Sequence, residues 1–260
     1  MRQVCVTVVF GGHTELLDRT FVSFAQNRFL ELHAFILGEH LPQNRVPGVT
    51  YHLRAPDPSF SHPIRDADFR RWQFIDELGA EYALVVDGCD VLCLQAIPEL
   101  PALLKGGWLA AANEHPGGRY VEGNYLGTFV NAGVTVWDVR ASRDLREAVV
   151  TRGRVRFRNL VDDQLCLNEV VYAQYLERLT LLPCTYNYRA FVGRRVRGWP
   201  TTRSLDGVRI YHHDECLRAR EFSTIGAHPP LSSLVADQGP LTPRQQFWRR
   251  LRQRLKPHLI

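Results

Sequence analysis

The N-terminal half of the chain alternates short apolar runs with segments of helical spacing. Val4–Phe10 is β-branched and nearly continuous, which predicts a strand covered on both faces. Thr14–Asn27 takes a helical pattern, Leu32–Leu37 and Val49–Leu53 read as strands, and Pro56, Pro58 and Pro63 mark a loop. Phe69, Trp72, Phe74, Ile75 and Leu78 recur at helical intervals and predict a helix over Ala67–Leu78, with Gly79 placed to stop it. Tyr82–Val86 is wholly apolar, as a buried parallel strand requires. Alternation of this kind implies a doubly wound α/β sheet. Further along, Trp108–Asn113, Val134–Val139, Leu179–Leu182 and Val208–Tyr211 read as strands and Asp162–Tyr175 as a helix. Beyond Pro229 the chain turns rich in Pro, Ser and Gly, which sets a boundary near 235: one domain over 1–235, then a linker and tail over 236–260.

Composition narrows the class. Hydrophobic residues make up 45% and charged residues 23%, enough for a large core. No run of 18 apolar residues exists, so nothing is expected to span a bilayer. The first apolar run ends at Gly11-Gly12-His13 without a small-residue cleavage site, the pattern of a core strand rather than a signal peptide. The cysteines at 5, 89, 93, 166, 184 and 216 mostly lie in apolar runs and are expected to be reduced, buried thiols of a cytoplasmic protein.

The formal charge of +5 is unevenly placed. Arg244, Arg249, Arg250, Arg252, Arg254 and Lys256 lie in a tail without acids, and without these six the rest of the chain stands at −1. A near-neutral body argues against a nucleic-acid partner. In the tail, Phe247 or Trp248, Leu251 and Leu255 recur at helical spacing among the arginines. Residues 244–260 are therefore expected to lie on an anionic membrane surface as a basic amphipathic segment, making the protein peripheral at the inner face of the membrane. The alternative is a helix folded back on the body.

Four stretches carry candidate chemistry. The strand Tyr82–Val86 runs directly into Asp87-Gly88-Cys89-Asp90, delivering two carboxylates to the sheet edge where open α/β sheets bind ligands. With Gly88 allowing a tight turn, both acids suit one hard cation, Mg²⁺ or Mn²⁺, bridging the phosphates of a nucleoside diphosphate. The competing reading makes them solvated turn residues or a cap. Gly127–Val134 places Asn131 and small residues at the entrance of a strand, where a sugar hydroxyl finds both donor and acceptor. Asp162-Asp163-Gln164 opens a helical pattern that continues to Asn168, with an N-cap as the alternative role for the acids. Val208–Tyr211 leads into His212-His213, and either imidazole is a candidate ligand.

The order strand-Asp-x-x-Asp, Asn-Ala-Gly, Asp-Asp-Gln-x-x-x-Asn, hydrophobic-x-His resembles the retaining glycosyltransferases of the GT-A fold, over roughly residues 4–215. The resemblance is to glycosyltransferase family 8, with its bacterial lipooligosaccharide galactosyltransferases and glycogenin, and to the glycosyltransferase domain of the collagen lysyl hydroxylases. It implies a GT-A, Rossmann-like α/β fold: a mixed, mainly parallel central sheet flanked by helices. It also implies transfer of a hexose from a UDP-sugar to a hydroxyl of a glycan, lipid or protein, with retention. By matching position, Asp87, Asp90 and His212 would hold Mn²⁺ (or Mg²⁺), and Arg70, with Arg71 as its rival, would contact the donor. Asn131, Asp163 and Gln164 would line the sugar subsite, with Asp163 or Gln164 stabilising the anomeric charge or acting as nucleophile. The first strand ends at Gly11 where relatives place a nucleoside contact, and Arg218 or Arg220 stands in for a phosphate lysine. Family 8 usually has Asp-x-Asp, and it follows its histidine with different residues. These departures leave open a catalytically inactive binding or scaffold protein; a nucleotidyltransferase is the remaining alternative.

Overall fold

The computed structural model describes residues 1–10, 17–60, 63–88, 90–113, 129–155, 162–188 and 207–212. In chain order they form β1 (Gln3–Phe10), α1 (Leu17–Phe24), β2 (Leu30–Leu37), β3 (Val49–Arg54), α2 (Pro63–Phe74) and β4 (Tyr82–Val86). Then come β5 (Val91–Cys93), α3 (Leu100–Leu104), β6 (Leu109–Asn113), β7 (Val130–Asp138), α4 (Arg143–Val155), α5 (Asp162–Val170), β8 (Leu179–Leu182) and β9 (Ile210–His212). Seven strands make one sheet in the order β3-β2-β1-β4-β7-β6-β8, and β5 pairs with β9 in a second, two-stranded sheet. Within the large sheet β7 runs antiparallel to both its neighbours, and the other pairs are parallel. The start of β7 therefore lies at the same sheet edge as the end of β4, and this antiparallel strand brings Asn131 beside Asp87.

Alternation along the strands divides the core in two. In β4, Ala83 and Val85 face a cluster closed by Phe69 and Trp72 of α2, Leu145 and Val149 of α4, and Cys166 and Leu167 of α5. Leu84 and Val86 face the other way, against Phe21 and Phe24 of α1 and Leu100 and Leu103 of α3. Trp72 and Trp137, both fully buried with ring centres 6.0 Å apart, anchor the first cluster. Truncating either to Ala costs about 3–5 kcal/mol.

The predicted strands are present, with Tyr82–Val86 and Leu179–Leu182 at the expected bounds. β7 begins at Val130, ahead of the expected Val134, and α2 begins at Pro63, which the sequence pattern assigns to a loop. A helix's first turn needs no N–H from its opening residue, so proline starts it without loss. Gly79 does stop the helical segment, in the left-handed conformation at φ 61°. Cys5, Cys93 and Cys166 are buried thiols, and burial pushes the Cys93 thiol up to about 11. Among the described residues no helix is long and apolar enough to cross a membrane. The boundary near 235, the tail 244–260, Gly11, His213, Arg218 and Arg220 lie outside the described residues.

Candidate active site

Asp87 follows β4 and is tied to β7 by its backbone N–H, which donates to Gly133 O at 2.9 Å. Asp90 precedes β5, and β5 pairs antiparallel with β9 so that Val91 stands opposite His212. This small sheet is what joins the far end of the domain to the acidic pair. His212 Nε2 lies 3.5 Å from Asp87 Oδ2 and 3.6 Å from Asp90 Oδ2. One ligand atom from each of the three residues falls within 4.8 Å of the other two. The octahedral shell of a small divalent cation, with bonds of about 2.1 Å, separates adjacent donors by about 3 Å, so a slight closure forms the triad. Asp90 Oδ1 is buried with no hydrogen-bond partner among the described residues, a group that a bound cation would satisfy. Two carboxylates and an imidazole fit a hard to intermediate divalent ion.

Two glycines make the convergence possible by their size. A Cβ on Gly133 would collide with the His212 ring and with Asp87 Oδ2. A Cβ on Gly88 would collide with Val9 and Thr7 of β1. Gly88 lies in a turn, as expected, and what requires glycine there is close packing, since its φ is not among the positive ones of the described residues.

Of the two candidate arginines, the structure brings Arg71 to the acids. Its Nη1 donates to Asp87 Oδ1, and its Nη2 donates to Asp163 Oδ2 at 2.5 Å. Arg70 points elsewhere: its Nη1 donates to Ala55 O at 2.9 Å and to Asp66 Oδ1 at 3.1 Å. Adjacent residues on a helix are about 100° apart, so only one of them faces this edge. Burial raises the Asp163 carboxyl above its usual range, with Asp87 adding to the rise and Arg71 opposing it. Asp68, one turn before Arg71 on α2, has no place in the sequence motifs. Its carboxyl is held well above the usual range, first by burial and then by Asp163 and Asp87, against Arg71 and Arg65. Burial works against the Arg71 charge, yet Asp87, Asp163 and Asp68 together outweigh it and raise the guanidinium's pKa.

The sugar-side candidates form one amide network. β6 and β7 lose register between Ala111 and Asn113, and side chains from α5 take up the backbone of β7 there. Asn168 accepts from Val130 N–H at 2.8 Å and donates to Val130 O at 2.9 Å. Gln164 Oε1 accepts from Ala132 N–H at 3.1 Å and from Asn131 Nδ2 at 2.9 Å. Both lone pairs of that oxygen are thereby used, so Gln164 has its NH₂ to offer a ligand. Asn131 Oδ1 accepts from Gly133 N–H and from Asn187 Nδ2, each at 2.8 Å. Asn187, which no sequence motif singles out, reaches on to His212.

No protein-family model matches the chain, and no curated protein matches it in sequence. Solved structures do. The galactosyltransferase LgtC, in complex with donor and acceptor sugar analogues, superposes with a TM-score of 0.60 over 88% of this chain and 98% of that one, at 15% identity. The glycosyltransferase GlyE of Streptococcus pneumoniae TIGR4 gives 0.58 at 16% identity, covering 87% of this chain and 57% of GlyE. The bifunctional glycosyltransferase WbbM gives 0.58 at 14% identity, over 82% of this chain and 45% of WbbM. What the chain shares with all three is architecture, a mixed and mostly parallel seven-stranded sheet between helices: it has the GT-A glycosyltransferase fold.

Proposed function

We propose that the protein is a metal-dependent glycosyltransferase that moves a hexose from a UDP-sugar to a hydroxyl of a glycan, lipid or protein acceptor, with retention. The observation that carries the reading is the meeting of Asp87, Asp90 and His212 on this fold, at the sheet edge that also holds Asp163, Gln164 and Asn131. Asp87, Asp90 and His212 would hold a divalent cation such as Mn²⁺ or Mg²⁺, which would supply positive charge to offset that of a leaving diphosphate. Arg71 keeps Asp87 Oδ1 engaged, so that Oδ2 stays turned toward His212 and Asp90. The same arginine holds Asp163 in place. Asp163 stands as the group that stabilises positive charge at the anomeric carbon or attacks it, because the oxygen of Gln164 is already occupied. Gln164 and Asn131 orient the sugar. Residues 244–260 would tether the enzyme to an anionic membrane surface on the cytoplasmic side, since each basic residue there contributes about 1 kcal/mol.

Thermal unfolding in the presence of UDP-, GDP- and other nucleotide-sugars, with and without Mn²⁺, tests the donor and the metal together. A UDP-sugar at a hundredfold excess over its Kd should add about 2.7 kcal/mol of stability, and only with the metal present. Asp87→Ala should remove that gain together with UDP release. Full activity in excess chelator would sink the metal. Deleting 244–260 should leave activity in solution intact and abolish sedimentation with phosphatidylserine vesicles; unchanged sedimentation would dispose of the tether.

A further inference from the structure

We infer that Asn187 is a positioning residue that fixes the tautomer of His212, leaving Nε2 bare toward Asp87 and Asp90. The inference rests on the cation reading of those three residues for its purpose, but not for its geometry. Backbone N–H groups can only donate, and they orient the amides one after another. Gly133 N–H meets Asn131 Oδ1, so that atom is an acceptor. Ala132 N–H meets Gln164 Oε1, which independently turns the NH₂ of Asn131 toward Gln164. The group of Asn187 that faces Asn131 Oδ1 must then be its NH₂, at 2.8 Å. Its carbonyl oxygen is left for His212 Nδ1, at 2.9 Å. A carbonyl only accepts, so Nδ1 carries the hydrogen, and a neutral ring has its lone pair on Nε2.

The surrounding backbone holds this arrangement rigid. Cys184–Tyr186 form a tight turn, and Asn187 N–H donates back to Cys184 O at 3.1 Å. Tyr188 then runs alongside β9, its N–H donating to Ile210 O at 2.9 Å and its O accepting from His212 N–H at 3.0 Å. Asn187 and His212 are both nearly fully buried, 3% and 4% exposed, so water does not compete for Nδ1. Metal-bound histidines are commonly set in this way, with the second ring nitrogen donating to a fixed oxygen, and loss of such a partner weakens metal binding about tenfold to a hundredfold. The network also runs without a break from Gln164 to His212, so the sugar side and the cation side of the site share one hydrogen-bond direction.

The ring ¹⁵N shifts of His212 in metal-free, histidine-labelled protein test this, recorded at a pH where the imidazole is neutral and assigned by the signal lost in His212→Gln. The native protein should show a pyrrole-like Nδ1 and a pyridine-like Nε2. Asn187→Ala should mix or invert the two and weaken Mn²⁺ binding about tenfold or more, measured by titration calorimetry. Asn187→Asp, which keeps an acceptor for Nδ1–H, should preserve the native pattern, and it serves as the variant to measure if the alanine protein does not fold. A native ring protonated on Nε2, or an unchanged ring in Asn187→Ala, overturns the inference. The expected tautomer in a native protein that binds no divalent cation upholds the role of Asn187 and sinks the cation reading instead.

Discussion

Two buried arginines of this molecule are built in opposite ways. Arg146 of α4 is 1% exposed, and all five of its N–H groups are bonded: to Ser142 Oγ, Trp72 O, Val139 O and both oxygens of Asp76. Arg71 is 4% exposed and donates to Asp87 and Asp163, while its Nε has no partner among the described residues. Arg146 is a closed joint between α4, the end of α2 and the end of β7, fully satisfied without any ligand. Arg71 stands among three carboxyls, Asp87, Asp163 and Asp68, the last two lifted above their ordinary range. A buried charge whose neighbours are complete is architecture; one whose neighbours are incomplete has room for a ligand.

The largest effect expected from this contrast is on stability. Arg146→Met leaves the Trp72 and Val139 carbonyls without their guanidinium partner, and should lower the unfolding free energy by about 1–3 kcal/mol for each left unsatisfied, read by urea denaturation. Added Mn²⁺ should restore none of it. Arg71→Met differs in that a cation can take the guanidinium's place beside Asp87, whose side chain is as open to solvent, at 32%, as that of Asp76 is at 33%. Its Mn²⁺-induced rise in Tm should therefore exceed that of the native protein, while kcat falls about a hundredfold, roughly 2.7 kcal/mol in the barrier. An equal response to metal by the two variants would erase the distinction between them.

The architectural half of this comparison was the harder to read from the residues. The central strands are legible because a strand covered on both faces must be apolar throughout, as Tyr82–Val86 is. Helix α4 has no counterpart among the predicted elements, although Leu145, Val149 and Val150 recur at helical spacing; the charge of Arg146 shares their buried face. β7 starts ahead of its expected bound because Asn131, Ala132 and Gly133 have low strand propensity, and amides from α5 hold their backbone instead. At the site, the order of motifs points to Asp87, Asp90 and His212, which the structure brings together. Choosing Arg71 over Arg70 needs the rotation of α2, which two consecutive arginines do not reveal. Asp68 and Asn187 sit in no motif, and their roles arise from which elements pack against them. Small residues at 88 and 133 are the one local signal of close approach, and it is a signal about space.

A methyl group is enough to probe that space. Gly133→Ala places a Cβ against the His212 ring and the Asp87 carboxylate, so that one or both must shift. Overpacking of this kind costs about 1–3 kcal/mol. Mn²⁺ affinity should fall as well, since the displaced groups are two of the three candidate ligands. An equivalent methyl at Gly38, where nothing lies within 4 Å, should change neither property and serves as the control.

The smallest effect is the one most specific to the open cluster. The Asp68 carboxyl is raised in the folded protein by burial and by Asp163 and Asp87, so the native state holds its proton at pH values where the unfolded chain has released it. Stability from this group is present in full below the ordinary carboxylate range and is lost as pH rises through the raised folded value. Asp68→Asn removes that loss. The variant should match the native protein in acid and become progressively more stable than it as pH rises toward neutral, in paired thermal melts without metal. A constant difference across the range would mean that Asp68 feels no unusual environment. An advantage that grows toward acid instead would show that Arg71 and Arg65 outweigh the two acids, and that the cluster is as closed as the one around Arg146.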